Sequence, residues 1–341
     1  PGLPASAAEV RPRRSGASWS SVVDLEEDPG SRQPASVVGL GPRPNPAGSY
    51  EEALARFAAA QRAEASGVCP ECRSLLLIHG RSTEQVFLLV HGTTNSPRQW
   101  ETLGKVLHAR GHNVLILRMP RHGRVGLHVG ELAGLRAEAL RDYADLAVNL
   151  AAGLGSQITA VGISGGAAVT AWMAQHRPEV RRMLALAPFF AIHGLPLFLN
   201  GLVTNLVSWA PNLNLQDPRE PRRSWGYRGQ STRGFAAYLR LTANVFQAAV
   251  VAPPAAERII FVTTAVEDTA DNRRTAELAS PWSGAGARVT GFEFPATADI
   301  PHNAVDPAAD PQKRAIVLDK MLALLVGRAS GGCAAGLSIA G

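Results

Sequence analysis

From Ser74 onward, short runs of aliphatic residues alternate with longer stretches in which apolar positions recur at helical spacing. Ser74–His79, Gln85–Val90, Asn113–Arg118, Gln157–Ile163, Arg182–Ala187, Arg258–Thr263 and Arg288–Phe294 read as strands. Several are nearly continuous in Val, Ile, Leu and Phe, the pattern of strands buried on both faces. Between them, Pro97–Arg110, Leu135–Leu154, Gly165–His176 and Gln312–Val326 read as helices. An earlier helix is expected after Ser49, which stands as an N-cap before Tyr50, Glu51 and Glu52. Strands alternating with helices predict an α/β chain with a mostly parallel central sheet covered by helices on both faces.

The alternation breaks between about residues 189 and 256, too long a stretch for an ordinary connection. It predicts a cap inserted into the sheet order, with Phe189, Phe190, Leu195 and Phe198 facing either a substrate groove or the core. An uncharged run from Met183 to Gln216 has the length of a membrane span, but Pro188, Gly194, Pro196 and Gly201 interrupt it. It reads as a buried strand followed by an apolar cap, and no transmembrane segment is expected. Residues 1–48 are rich in Pro, Ser, Gly and Arg with little apolar periodicity, and are expected to be a disordered leader or linker. Residues 49–328 form the expected catalytic domain, and 329–341 a flexible tail. A soluble chain follows from this reading, secreted if the leader marks a processed end.

Composition narrows the classes. The chain of 341 residues is 46% hydrophobic and carries a formal charge of +6, with arginine far outnumbering lysine. The arginines are scattered along the sequence, so no nucleic-acid footprint is expected. Cys69 and Cys72 form one C-x-x-C pair and Cys333 lies alone. A structural zinc site wants four ligands, so no metal is expected, and the pair is either a local disulfide or two inert thiols.

The candidate chemistry centres on Gly162-Ile163-Ser164-Gly165-Gly166, a G-x-S-x-G motif. Alone the motif is weak; its setting between an apolar strand and a helix strengthens it. The flanking glycines Gly162 and Gly166 let the chain turn sharply and lift Ser164 above the sheet as a nucleophile. A serine hydroxyl needs a base, and the base needs a carboxylate to hold its tautomer. On a strand–turn–helix elbow these partners follow in the order acid, then histidine. Of nine histidines only His176, His193 and His302 come after Ser164, and only His302 lies past the last strand. For the acid, Asp268 just past the preceding strand is the first choice, Asp271 the second and Glu267 the third. Backbone donors for a tetrahedral oxyanion are expected at Gly165 and at Thr93, in the loop His91-Gly92-Thr93-Thr94. His91 is expected to brace that loop rather than to ligate a metal.

Together, His91-Gly-Thr-Thr-Asn-Ser-Pro-Arg-Gln-Trp100, Pro120-Arg-His-Gly123, the elbow at Ser164, Leu213-Asn-Leu-Gln-Asp-Pro218 and Pro301-His-Asn-Ala-Val-Asp-Pro307 resemble the α/β-hydrolase superfamily. The likeness is to its bacterial carboxylesterase and lysophospholipase-like members and spans roughly residues 50–328. The resemblance implies the α/β-hydrolase fold, a Ser164–Asp268–His302 triad and hydrolysis of carboxylic esters, acyl or lipid-like, without a cofactor. An acyltransferase or thioesterase with the same triad, or a module that binds without catalysis, are the alternatives.

Overall fold

The computed structural model describes residues 37–215 and 223–326. Its core is a seven-stranded sheet built from β1 (Leu75–Leu77), β2 (Thr83–Val90), β3 (Asn113–Ile116), β4 (Gly155–Ile163), β5 (Val180–Leu186), β8 (Arg258–Thr264) and β9 (Arg288–Phe294). The order is β1-β3-β2-β4-β5-β8-β9, and β1 alone runs antiparallel to its neighbour. The expected fold class is therefore present, with most strand ends within a residue or two of those read from the apolar runs.

The sheet separates two apolar layers. On one side pack α1 (Tyr50–Glu64), α3 (Ala137–Leu154) and α4 (Gly165–His176), on the other α2 (Glu101–Ala109) and, at the end of the chain, α8 (Pro311–Val326). Neighbouring strand residues alternate between the layers: Val86, Leu88 and Val90 join the first cluster, Phe87 and Leu89 the second. This two-sided burial is why β2 reads as an unbroken apolar run. Ser49 caps α1 as expected, its hydroxyl accepting from the Glu52 amide.

The packed chain begins earlier than Ser49, which corrects part of the expected leader. Leu40 is fully buried, and its carbonyl accepts from Trp172 Nε1 at 2.9 Å. The amides of Arg43 and Asn45 donate to Asp145 and Asn149 on α3. The same two side chains take up Arg177, a buried guanidinium that also meets Glu179. A short polar stretch is thus held by hydrogen bonds rather than by apolar periodicity, and pattern reading misses it. Residues 1–36 and the expected tail at 329–341 lie outside the described residues.

Between β5 and β8 the cap holds α5 (Asn200–Trp209), a two-residue ladder of β6 (Asn214–Leu215) with β7 (Gln230–Ser231), and α6 (Thr232–Val251). α6 is less a lid than a core helix: Ala237, Tyr238, Leu241 and Val245 join the main cluster beside α3 and α4. α5 is inverted. Asn200, Thr204 and Ser208 face inward with the hydroxyls bonded back to the preceding turn, while Leu202 and Leu206 are exposed. Of the four apolar candidates, Phe189 stacks on Phe235 and Phe190 meets Phe246 and Phe261 in the core, whereas Phe198 is 83% exposed. After β8, α7 (Asn272–Gly284) returns along the sheet. Among the described residues no helix is long and apolar enough to cross a membrane.

Candidate active site

β2, β4, β5, β8 and β9 are mutually parallel, so the loops that follow them leave one edge of the sheet. Thr93, Ser164, His302 and the three candidate carboxylates lie in those loops, while Gly162 lies at the end of β4 and Gly165 and Gly166 open α4.

Ser164 follows β4 at φ +54 and ψ −122, a conformation L residues rarely adopt, and its carbonyl opens α4. Neighbours hold the turn. The Ser164 amide donates to the Leu186 carbonyl at 3.0 Å, and the Phe189 amide donates to the Ser164 carbonyl at 3.1 Å. A Cβ on Gly162 would stand 2.4 Å from the Gly166 carbonyl oxygen. One on Gly166 would stand 2.3 Å from the carbonyl oxygens of Val90 and His91. No side chain fits either position, so α4 can pack against β2 only with glycine there.

The loop after β2 folds over this elbow. A Cβ on Gly92 would lie 3.6 Å from that of Ser164, and one on Gly165 would lie 2.4 Å from Thr93 Cγ2. Thr93 and Gly165, the two expected oxyanion donors, are therefore neighbours. The loop is braced from several sides. Gln99 Oε1 accepts from the Gly92 amide, and His91 Nε2 accepts from the Met119 amide at 3.0 Å. With Nδ1 facing its own loop at Gly92 O, His91 carries its proton on Nδ1. It braces the loop, as expected. His122 Nε2 lies 2.8 Å from the Thr93 carbonyl, and Tyr238 from α6 closes over the same spot, with its hydroxyl 3.5 Å from that nitrogen.

Both histidines are fully buried, and burial drives their pKa down: His91 well below its ordinary value and His122 to about 4. In both, burial disfavours the charged ring. Neither His122 nor Tyr238 was singled out from sequence; Pro120-Arg-His-Gly123 was noticed only as part of a resemblance. The signal for His122 was position, a histidine in the loop after a parallel strand.

His302 lies in the loop after β9, pinned where the Thr264 hydroxyl donates to the Ile300 carbonyl at 2.8 Å. Its Nδ1 meets Glu267 Oε1 at 2.7 Å, with both side chains buried. The same oxygen accepts from the amides of Thr269 and Ala270. Burial alone would raise the Glu267 pKa, but His302 and these two amides outweigh it and hold the carboxyl below its ordinary value. His302 Nε2 is buried and has no hydrogen-bond partner among the described residues. It is therefore not bonded to the Ser164 hydroxyl here; such bonds commonly tighten only when substrate is bound.

This geometry separates the three candidate carboxylates: Glu267 meets His302 and the two aspartates do not. Asp268 is exposed, and among the described residues it accepts only from the neighbouring Thr269 hydroxyl. Asp271 caps α7 through the Arg273 amide and grips the Arg273 guanidinium at 2.6 Å. Neither aspartate meets His302. Glu267, ranked last of the three, does so because its longer side chain reaches back from the third position past the strand.

A further carboxylate ties the loops together. Buried Asp306, four residues after His302, accepts from Asn95 of the β2 loop and from Arg223 of the cap at 2.9 Å. Sequence reading saw Asp306 only as part of a motif and gave it no role. The C-x-x-C pair is not bridged: Cys69 and Cys72 are free, and burial pushes the Cys72 thiol up to about 12. No cluster of three or more metal-ligating side chains occurs among the described residues.

The family follows from comparison. Residues 87–329 match the model of the alpha/beta hydrolase family, and the chain belongs to that family. No curated protein matches the sequence. Among solved structures, one is described with LipS and LipT, two metagenome-derived lipolytic enzymes. It superposes at a TM-score of 0.55 with 18% identity, covering 75% of this chain and 98% of its own. The monoacylglycerol lipase of Paleococcus ferrophilus gives 0.53 at 16% identity, covering 73% and 98%. A soluble variant of the monoglyceride lipase of Saccharomyces cerevisiae gives 0.52 at 12%, covering 73% and 89%. At such identities the likeness speaks for the fold.

Proposed function

We propose that this chain is a serine hydrolase that cleaves carboxylic esters, with Ser164 as nucleophile, His302 as base and Glu267 as the acid. The observation that carries the reading is the buried Glu267–His302 pair, 2.7 Å apart, whose outer nitrogen Nε2 is left without a partner at the sheet edge that holds the strained Ser164 elbow.

In this reading Nε2 takes the Ser164 proton as Oγ attacks the ester carbonyl carbon. Glu267 holds the neutral ring with its proton on Nδ1 and stabilises the imidazolium that forms. The oxyanion is met by the amides of Thr93 and Gly165; one such donor contributes about 3 kcal/mol to the barrier reduction. Collapse breaks the C–O bond, and the alkoxide leaves with the proton from Nε2. Water then repeats the cycle on the acyl-enzyme, with its proton passing to Nε2 and the acid released as Ser164 is restored.

A lipid-like acyl group suits the cap. Phe198, Leu202 and Leu206 form an exposed apolar face on the cap, and the lipases among the structural neighbours agree with such a substrate. The test compares p-nitrophenyl butyrate and palmitate with the wild type and Ser164→Ala. Turnover by the wild type and loss by several orders of magnitude in the variant is the expected result. An inert wild type on both esters would overturn the esterase reading, and faster turnover of butyrate would overturn the lipid-like one.

A further inference from the structure

The opposite edge of the sheet carries an unexplained concentration of charge. Arg182, Arg258 and Arg288 are register partners on β5, β8 and β9, so three guanidinium side chains stand side by side on one face. Like charges directly opposite on adjacent strands destabilise a sheet. Here the repulsion is not relieved from within. Arg182 reaches only the Leu325 carbonyl at 3.0 Å, and Arg258 and Arg288 have no ion pair among the described residues. The mutual proximity, after burial, lowers the Arg182 pKa. The three line an open cavity of about 560 Å³ together with Gln157, Arg181 and Glu257. Glu257 is the only carboxylate in that lining, and it is taken by Arg181 at 2.6 Å.

We infer that this arginine ladder is a binding site for a small anion carrying at least two phosphoryl groups, separate from the catalytic edge. Adjacent strands lie about 4.8 Å apart, so the ladder spans roughly 10 Å, more than one phosphate covers and matched by a diphosphate or longer anion. Each guanidinium offers a planar fork of donors that fits phosphoryl oxygens two at a time. The sheet fixes the spacing of the three arginines, while the Arg258 and Arg288 side chains become ordered on binding. Along β8, Arg258 is six residues from Thr264, about 20 Å from the catalytic loops, so occupancy leaves the ester site open.

The experiment is calorimetric titration of the full chain with inorganic pyrophosphate at constant ionic strength, against Arg258→Gln and Arg288→Gln. One saturable site is expected, weaker for orthophosphate, with affinity down at least tenfold in either variant. Butyrate hydrolysis unchanged in both variants reports that they are folded. Because the ladder repels itself when empty, Arg258→Gln is also expected to melt no lower than the wild type without anion and to lose the stabilisation that pyrophosphate confers. Equal binding by the variants, or no saturable binding at constant ionic strength, would overturn the proposal. So would a lower melting temperature of Arg258→Gln without anion, which would mean that the arginine already has a partner. Binding only to anionic phospholipid vesicles, with no response to pyrophosphate, would overturn the assignment to a small ligand.

Discussion

At the scale of single residues, the acid is the sharpest case. Three carboxylates within five positions were legible as candidates, and the choice among them was not. It depends on which side chain of the turn points inward, and on two amides that converge on Glu267 Oε1. In the proposed mechanism Glu267→Gln keeps the shape but removes the charge that would stabilise the imidazolium. The expected result is a loss of about 10³- to 10⁴-fold in kcat on a butyrate ester with little change in fold. Asp268→Asn, on an exposed side chain, is expected to retain kcat near the wild type. The reverse order of the two variants would return the acid to Asp268. Ser164 supplies a second residue-scale prediction. Its φ of +54 costs an L residue about 1 kcal/mol, which glycine does not incur. Ser164→Gly is therefore expected to be inactive yet more stable by about that amount in urea unfolding. A destabilised variant would show that the turn is relaxed with serine present.

At the scale of elements, the sheet was readable, and so was the place of the cap, but not which face of its helix α5 is buried. Strands buried on both faces advertise themselves as apolar runs, and the expected elbow from Gln157 to His176 agrees with β4 and α4 nearly to the residue. α5 defeats the same logic: its inward positions are Asn200, Thr204 and Ser208, so a reader of hydrophobicity assigns the wrong face to the core. The stretch at residues 37–48 escapes for a related reason, being held by polar contacts to Asp145, Asn149 and Trp172. The elbow itself yields a prediction about close approach. Gly166→Ala would put a methyl group 2.3 Å from two backbone carbonyl oxygens, which cannot swing aside as a side chain can. α4 would have to leave the sheet. A stability loss of at least about 4 kcal/mol is expected, at the far end of the range for single substitutions. A near-normal denaturation midpoint with low activity would instead mean that the glycine serves the chemistry alone. On the outer face, Leu202→Gln with Leu206→Gln is expected to lower turnover of palmitate esters several-fold and to leave butyrate turnover unchanged. An equal loss on both would indicate that the helix supports the fold rather than the substrate.

At the scale of the whole molecule, the site is a set of loops brought to one edge and locked to one another by buried polar groups, and this makes it sensitive to acid. His122 connects the β3 loop to the Thr93 carbonyl, while His91 connects the β2 loop to the Met119 amide. For both, the folded-state pKa lies below the ordinary value of 6.5, with His122 at about 4. Between those limits the unfolded chain binds a proton that the folded chain refuses, so stability falls as pH drops from about 6.5 toward 4 and levels off below the folded pKa. Glu267 adds a loss of the same sign at lower pH. Its depressed pKa favours the folded state above the unfolded value, and that contribution disappears as pH falls through the folded one. One pKa unit corresponds to about 1.4 kcal/mol, so His122 alone is expected to cost about 2 kcal/mol between pH 6.5 and 5. Urea denaturation at pH 7, 6 and 5 measures this directly. His122→Gln keeps a donor for the Thr93 carbonyl but cannot titrate, and should flatten the slope over this interval. If the variant loses stability with acid as steeply as the wild type, the loops are not held by a neutral His122, and the acid sensitivity belongs to other groups.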